Sequence, residues 1–223
     1  MAPLLLGHRG TPRLHRENTL VGFREALSRG LDGVELDVRR CLDGTLVVHH
    51  DATLLDGRRI ANLRFRALKP QPVPTLAEVL AWAAESGAFV NVELKYESVR
   101  PDDRVLRTAE LLRRYGLLER SIVSSFNPLF LSALREADAN VRRGFLYDRA
   151  PLVMPLVAER IGVHALHPHH SLVTSALMCQ ARARGWDVNV WTVNDAVLVR
   201  RLTDLGVNAL MGDDPDVLAV ARS

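Results

Sequence analysis

Runs rich in β-forming residues alternate with amphipathic segments of helical period along all 223 residues. This alternation limits the possible folds most, because strands separated by helices predict an α/β domain with a parallel sheet. The predicted strands are Leu4–His8, Gly33–Val38, Thr45–His49, Phe89–Leu94, Ser121–Ser125, Arg143–Leu146, Ala165–Pro168, Asp187–Thr192 and Val207–Met211. The predicted helices include Thr19–Ser28, Leu76–Glu85, Arg104–Tyr115, Leu129–Ala137, Leu152–Ile161, Ser175–Arg184 and Val197–Leu205. We expect a single domain over residues 1–223.

The predicted strands are one too many for an eight-stranded barrel. The dipeptide Asp43-Gly44 explains the surplus, since Asp-Gly between two β-rich runs predicts a two-residue hairpin. Thr45–His49 then returns antiparallel to the preceding strand, and eight parallel strands remain. We therefore predict a TIM-type (β/α)8 barrel with a short hairpin after its second strand. A doubly wound open sheet is the alternative fold, but neither a Gly-x-Gly-x-x-Gly turn nor a Walker loop is present.

The charge distribution argues against a nucleic-acid partner. The net charge is +3, but the basic residues are scattered, without a long cationic run or interleaved aromatic residues. No stretch approaches the roughly 20 apolar residues of a membrane span, and the N-terminus lacks the basic region of a secretory signal. We expect a cytoplasmic protein without stable membrane insertion. Cys41 and Cys179 have no metal or redox spacing and are expected to be reduced thiols.

Carboxylates point to a metal site at the end of the second strand. Glu35 and Asp37 are two residues apart, so both side chains lie on one face of the strand. If that face is the barrel interior, two buried negative charges require a compensating cation. Val34, Leu36 and Val38 then face the helices, which is the natural arrangement of a barrel strand. We therefore predict that both carboxylates point inward and bind a divalent metal ion.

The hairpin brings a histidine to these carboxylates. With a two-residue turn at Asp43 and Gly44, Asp37 faces His50 across the strand pair, at a Cβ separation of about 4.5–5.5 Å. A bulge would shift the register by one residue and place His49 there instead. Asp51 follows in sequence and is expected to orient the imidazole or to cap the next turn.

Further polar residues end other strands, at the face where TIM-barrel active sites lie. His8 and Arg9 close the first strand, and Glu93 and Lys95 end the fourth. A third carboxylate completes an oxygen-rich site that suits a hard cation such as Mg²⁺ or Ca²⁺. Three carboxylates, two histidines, an arginine and a lysine at one barrel mouth predict phosphoryl-transfer chemistry, in which the cations neutralise the phosphate and the histidines move protons.

Two other sets of residues leave alternatives open. Trp191 is either a core residue or, at the top of its strand, part of a pocket wall. Four histidines lie close in sequence and raise the question of a zinc site, but adjacent members point to opposite faces. We expect these four to be wall or surface residues; they are His164, His167, His169 and His170.

The motifs together resemble the glycerophosphodiester phosphodiesterase family, from the first strand to Pro215. They are His8-Arg9-Gly10, Glu17-Asn18-Thr19, Gly33-Val34-Glu35-Leu36-Asp37-Val38, Asp43-Gly44, His50-Asp51, Pro74-Thr75-Leu76 with Glu78, Glu93-Leu94-Lys95, and Trp191-Thr192-Val193-Asn194. Each motif alone is weak, but their order and spacing are highly specific.

The resemblance implies a TIM-type barrel that hydrolyses glycerophosphodiesters to sn-glycerol 3-phosphate and an alcohol. It implies that Glu35, Asp37 and Glu93 bind one divalent cation, and that His8 and His50 act as general acid and base. It further implies that Arg9 and Lys95 hold the phosphate and that Trp191 forms an apolar wall near the glycerol moiety. Ala52–Val73 is shorter than the insertion of many family members, so we expect no large cap and an open pocket.

Two alternative functions are considered. A lysophospholipase D or sphingomyelinase D-like phosphodiesterase would share the barrel and the paired histidines. A non-catalytic phosphodiester-binding barrel would be favoured if a histidine or a carboxylate were missing, and none is missing. The sequence leaves open the alcohol headgroup, the identity of the metal, the choice between a cyclic phosphate and direct water attack, and the oligomeric state.

Overall fold

The structure is a computed structural model that describes residues 2–69, 71–149 and 154–222. Its strands are β1 (Leu4–Gly7), β2 (Gly33–Arg40), β3 (Leu46–Val48), β4 (Phe89–Leu94), β5 (Ser121–Ser125), β6 (Arg143–Tyr147), β7 (Ala165–Pro168), β8 (Asp187–Val190) and β9 (Ala209–Gly212). Its α-helices are α1 (Leu20–Ser28), α2 (Leu76–Ser86), α3 (Arg104–Arg114), α4 (Pro128–Ala137), α5 (Met154–Ile161), α6 (Ser175–Ala183), α7 (Ala196–Leu205) and α8 (Pro215–Ala219).

The strands form a closed barrel. Their order is β1-β9-β8-β7-β6-β5-β4-β2-β3, and β1 also pairs with β2, which closes the sheet. Every pair along the ring is parallel, while β3 is antiparallel to β2 and lies outside the ring. The predicted TIM-type (β/α)8 barrel with a hairpin after its second strand is confirmed.

The two faces of the barrel strands carry different chemistry. Val34, Leu36 and Val38 of β2 are fully buried in the apolar layer between the strands and the helices. Glu35 and Asp37 alternate with them and therefore point into the barrel, as predicted. Strands buried on both faces need apolar residues on the helix side, which is why the β2 sequence contains hydrophobic residues at every second position.

Local capping determines where several helices begin. Thr75 forms a capping box with Glu78 at the start of α2, and Thr19 accepts a hydrogen bond from the backbone at the start of α1. The observed helices begin and end within one or two residues of the predicted bounds. Residues 152 and 153 of the predicted Leu152–Ile161 helix lie outside the described part of the chain, and α8 was not predicted.

The hairpin turn differs from the prediction. Cys41 N–H donates to Thr45 O (2.9 Å) and Gly44 has a φ of 81°, so the turn has three residues, 42–44, instead of two. The pairing is therefore shifted by one residue, and His49 N–H donates to Asp37 O (2.9 Å). The predicted pairing of Asp37 with His50 is wrong, and the alternative register, which places His49 opposite Asp37, is the observed one. Contacts outside the hairpin favour the longer turn, since Asp43 Oδ2 accepts a hydrogen bond from the backbone of Phe65 (3.0 Å).

The connection between β3 and α2 packs around a small core of its own. Two short 3₁₀ turns, Ile60–Asn62 and Phe65–Leu68, interrupt it. The buried residues of this core are Cys41, Val47, Leu54, Ile60, Leu68 and Val73. The connection does not include an α-helix in the described residues.

Candidate active site

A cavity of about 180 Å³ lies at the carboxyl ends of the barrel strands. Seven of the eight predicted site residues line it, namely His8, Arg9, Glu35, His50, Glu93, Lys95 and Trp191, together with Asn91, Phe126, Leu146 and Met211. Asp37 lies beneath the surface and is 1% exposed. The structure therefore brings the predicted residues into one place, although larger depressions exist elsewhere on the surface.

Three buried carboxylates form an oxygen-rich cluster at the cavity. Glu35, Asp37 and Glu93 each offer an oxygen, and these oxygens lie within 4.8 Å of one another. The side chains align because Asp37 and Glu93 are register partners on the adjacent strands β2 and β4. Glu35 Oε1 is buried and has no hydrogen-bond partner in the described structure. An unpaired buried carboxylate oxygen among two further carboxylates fits a divalent cation, and oxygen-only ligands favour a hard metal ion.

The electrostatics of the cluster also favour a cation. Burial, with the neighbouring charge of Asp37, raises the pKa of Glu35 to about 8. Burial also raises the pKa of Glu93. For Asp37 burial acts in the same direction, but the positive charges of Lys95 and Arg9 outweigh it and lower the pKa. Burial thus disfavours ionisation of two of the three carboxylates, and a bound cation would favour it.

Two basic side chains face the carboxylates. Lys95 Nζ lies 3.0 Å from Asp37 Oδ1 and 2.7 Å from Glu93 Oε1. Arg9 Nε lies 3.5 Å from Asp37 Oδ2, and its Nη1 donates to Glu17 Oε2 (3.0 Å). Both cations are thus placed beside the cluster, where an anionic group that enters the cavity would meet them.

The turn after β1 places the backbone of Arg9 against the cluster. Arg9 has a φ of 55°, and its N–H donates to Glu35 Oε2 (2.9 Å). Gly10 follows with a φ of 91°, a conformation that favours glycine. A left-handed arginine costs free energy, and such residues often occur at functional sites.

The two histidines of the cavity each have a carboxylate on Nδ1. His8 Nδ1 lies 2.7 Å from Asp213 Oδ1, and His50 Nδ1 lies 2.8 Å from Asp51 Oδ1. In both rings Nε2 is left for other contacts, and His8 Nε2 lies 4.0 Å from Glu35 Oε2. The arrangement leaves one ring nitrogen of each histidine available for proton transfer.

The pKa values of these histidines shift in opposite directions. Burial lowers the pKa of His8, but the hydrogen bond to Asp213 and the charge of Glu35 outweigh it and raise the pKa. Burial and the charge of Lys95 lower the pKa of His50, despite the opposing charge of Asp37. His8 is therefore the more basic of the two rings.

Aromatic side chains form the opposite wall of the cavity. The rings of Phe126 and Trp191 meet edge to face with centroids 5.4 Å apart. Trp191 Nε1–H donates to His167 O (2.8 Å), which fixes the indole orientation. His169 packs against Trp191 and His170, and His167 is fully buried inside the barrel.

Several residues in contact with the site received no role from the sequence. Asn18 donates to Asp37 Oδ2 (2.8 Å), and Asn194 holds Asp213 through a pair of hydrogen bonds. Both asparagines belong to sequence motifs named above, and this membership was the signal that could have identified them. A motif does not reveal, however, which side chain each asparagine contacts. The contact between His8 and Asp213 joins residues 205 positions apart, and only barrel closure creates it.

The family model of the glycerophosphoryl diester phosphodiesterase family matches residues 8–217. The chain belongs to this family. A glycerophosphodiester phosphodiesterase from Caldanaerobacter subterraneus subsp. tengcongensis is 30% identical over 98% of this chain and 97% of the relative. The chain is thus an enzyme of the phosphoric diester hydrolase class.

Solved structures agree with this family assignment. A phosphodiesterase from Oleispira antarctica, determined in complex with the product sn-glycerol-3-phosphate, has a TM-score of 0.85 at 26% identity and covers 99% of this chain and 97% of its own. A protein from Galdieria sulphuraria shows the same fold, with a TM-score of 0.91 at 24% identity over 99% and 98% of the two chains. Among the described residues of this phosphodiesterase family member, no helix is long and apolar enough to cross a membrane.

Proposed function

We propose that this enzyme hydrolyses glycerophosphodiesters to sn-glycerol 3-phosphate and a free alcohol, with one divalent cation, Mg²⁺ or Ca²⁺. The observation that carries the proposal is the convergence of three carboxylates, two histidines, Arg9 and Lys95 on one cavity. The family match supports the substrate class, and the Oleispira antarctica relative was solved with the proposed product.

Glu35, Asp37 and Glu93 would hold the cation. A bound divalent cation would neutralise charge on the phosphodiester and on the transition state that forms from it. Arg9 and Lys95 are the protein's own cations for the same phosphate, because they lie against the carboxylate cluster at the cavity wall. Trp191 would contact the apolar face of the glycerol moiety.

His8 and His50 would move the protons. We assign His8 as the acid that donates its Nε2 proton to the leaving alcohol oxygen, and His50 as the base that accepts a proton from the nucleophile. The contacts of Nδ1 with Asp213 in His8 and with Asp51 in His50 support this assignment. They orient each ring and leave its Nε2 atom free for proton transfer. The opposite pKa shifts of the two rings agree with it.

Two nucleophiles fit this arrangement. The glycerol 2-hydroxyl can attack the phosphorus and expel the alcohol, after which water opens the cyclic phosphate while the histidines exchange roles. Alternatively, water attacks the diester directly. A substrate that lacks the 2-hydroxyl distinguishes the two mechanisms, because only direct attack by water can hydrolyse it.

The proposal is tested by the release of glycerol 3-phosphate from glycerophosphocholine, measured with Mg²⁺, with Ca²⁺ and with a chelator. His50→Ala should lower kcat by about 10²–10⁴-fold, the usual contribution of general acid–base catalysis. His49→Ala is the matched control, since His49 is the register partner of Asp37 but does not line the cavity. Equal activity of wild type and His50→Ala would reject the assignment.

Lysophospholipid hydrolysis is the second candidate function. An apolar groove of about 530 Å³ on the surface has Leu20, Phe65 and Leu68 among its lining residues. Arg16 lines both this groove and a second depression, which contains His49 and Asp51, the sequence neighbours of His50. The groove would take the acyl chain of a lysolipid. Faster release from lysophosphatidylcholine than from glycerophosphocholine would favour this candidate. No turnover of either substrate would favour a non-catalytic binding role.

A further inference from the structure

Two backbone carbonyls of the candidate site are each held by a buried arginine. Arg39 donates from Nε to His50 O (2.8 Å), and its Nη2 donates to the same oxygen. Arg104 donates from Nη1 to Lys95 O. Arg39 and Arg104 are 8% and 2% exposed, so both guanidinium groups are largely removed from water.

Glu97 connects the two arginines. Its Oε1 accepts a hydrogen bond from Arg39 Nη1 (2.7 Å), and its Oε2 accepts one from Arg104 Nη2. The Glu97 side chain is 26% exposed. Burial raises the pKa of Glu97, but the hydrogen bonds and charges of Arg104 and Arg39 outweigh it and lower the pKa. We call Arg39, Glu97 and Arg104 the carbonyl clamp.

The clamp joins three segments of the chain. Arg39 lies on the part of β2 that extends past the barrel, Glu97 lies in the loop after β4, and Arg104 begins α3. Asp102 also holds Arg104, because its carboxylate accepts hydrogen bonds from Nε and Nη2 (2.9 Å each). Arg104 is therefore fixed by two acids, whereas Glu97 is the acid that contacts Arg39 among the described residues.

His50 depends on the clamp more than Lys95 does. The Lys95 ammonium has its own contacts with Asp37 and Glu93, and its backbone N–H donates to Val38 O (3.1 Å). The His50 ring contacts Asp51, whose side chain is 70% exposed and therefore weakly restrained. The hydrogen bonds from Arg39 to His50 O are thus the more buried restraint on this histidine.

We propose that Glu97 is a positioning residue for the phosphodiesterase reaction, which acts through Arg39 and Arg104 on the carbonyls of His50 and Lys95. The proposal rests on the roles given to His50 and Lys95 under the proposed function. Loss of Glu97 leaves Arg39 buried without its acid, so Arg39 shifts toward water and releases His50 O. A displacement of about 1 Å at a reacting group can cost about 10²-fold in rate.

The test is a kinetic comparison of wild type with Glu97→Gln on glycerophosphocholine. We expect kcat to fall by about 10-fold or more while KM changes by less than about threefold, because the phosphate contacts of Arg9 and Lys95 persist. Glu159→Gln is the matched control, since Glu159 pairs with Arg184 (2.6 Å) on exposed surface away from the cavity. It should retain wild-type kinetics.

A double-mutant cycle separates positioning from a general structural defect. If Glu97 acts through His50, Glu97→Gln should cost less than about threefold in the His50→Ala background, because the group that it positions is already absent. Losses that multiply in the double variant would overturn the proposal, and so would unchanged kcat in Glu97→Gln. An inactive wild type would instead reject the proposed function.

A second variant covers the case in which Glu97→Gln does not fold. Arg39→Lys retains a positive charge beside Glu97 but replaces the paired hydrogen bonds to His50 O with at most one contact. We expect the same loss of kcat with little change in KM, and wild-type kcat in a folded Arg39→Lys protein would overturn the proposal. Thermal unfolding monitored by circular dichroism identifies which variants are folded.

Discussion

The mouth of the barrel consists of two arcs of adjacent strands, and the polar side chains of the two arcs differ in charge. The charged arc is formed by the ends of β9, β1, β2 and β4, and carries Asp213, His8, Arg9, Glu35, Asp37, Glu93 and Lys95. The neutral arc is formed by the ends of β5, β6, β7 and β8, and carries Phe126, Leu146, His167, Asn189 and Trp191.

One histidine in each arc shows the difference. In the charged arc, His8 contacts the carboxylate of Asp213, which helps to raise its pKa. In the neutral arc, His167 Nε2 accepts a hydrogen bond from the amide of Asn189 (2.9 Å), and burial lowers its pKa to about 3. Burial by itself favours the neutral form of an imidazole, and an ionic partner is needed to favour the charged form. The residues with proposed catalytic roles are therefore concentrated in the arc where acids and bases face one another.

The largest expected effect comes from removing a charge in the charged arc. Asp37→Asn deprives Lys95 and Arg9 of their shared partner, and breaking a buried ion pair costs about 3–5 kcal/mol. We expect kcat/KM for glycerophosphocholine to fall by about 10²-fold or more, and Mg²⁺ binding measured by calorimetry to weaken.

Asp187→Asn is the matched control for this prediction. Asp187 pairs with Arg142 (2.6 Å) at the start of β8, at the end of the barrel opposite the mouth. The control should retain activity and Mg²⁺ binding. If Asp37→Asn had the same kcat/KM as this control, charge pairing in the charged arc would not be important for activity.

The next largest effect concerns the acids that hold the two catalytic candidates. Asp213→Asn should lower kcat by about 10–100-fold, because His8 loses the acceptor that fixes its ring and its proton. Asp51→Asn should lower kcat by only about 2–5-fold, since Asp51 is 70% exposed and Asp213 is 26% exposed. Equal losses of kcat in the two variants would show that the solvent exposure of the carboxylate does not determine how strongly it holds the histidine.

The neutral arc predicts a dependence of stability on pH. The folded-state pKa of His167 is lowered from 6.5 to about 3, so its contribution is fully present above pH 6.5 and is lost as the pH falls toward 3. Between pH 7.5 and 5.0, protonation of the unfolded chain should cost about 2 kcal/mol of unfolding free energy.

Chemical denaturation at both pH values measures this contribution. His167→Gln should lose less stability than wild type over the same interval, because the variant has no group that titrates at this position. All other histidines remain, so the difference between the two proteins isolates His167. The same pH dependence in both proteins would refute a neutral buried imidazole.

The smallest expected effect is on the apolar wall of the neutral arc. Trp191→Leu should raise KM by about 3–10-fold and change kcat by less than about twofold, because an apolar contact binds the ground state and the transition state alike. Trp186→Leu is the matched control, since Trp186 stacks on Arg184 (5.4 Å) away from the cavity. A fall in kcat without a change in KM would show that Trp191 belongs functionally with the charged arc.

Much of the fold follows from local sequence patterns. Alternating β-rich and amphipathic segments predicted every strand of the barrel, because strand and helix periods are set by backbone geometry. The same period of two placed Glu35 and Asp37 on the inner face of β2. Their proposed roles, and those of His8, His50, Glu93, Arg9, Lys95 and Trp191, remain predictions.

The hairpin shows where local reasoning fails. Asp-Gly predicted a two-residue turn, but contacts with the segment around Phe65 accompany a turn of three residues, and the register shifts by one. His50 nevertheless lines the cavity, and its backbone carbonyl accepts a hydrogen bond from Arg39.

The sequence by itself determined the order of the elements, the inward face of β2 and the set of polar residues at the strand ends. Only the tertiary structure decided which of these residues meet. Asp213 reaches His8, Glu97 joins Arg39 to Arg104, and Asn189 donates a hydrogen bond to His167. The physical reason is that periodicity acts over a few residues, whereas these contacts depend on how the closed barrel brings distant strand ends together.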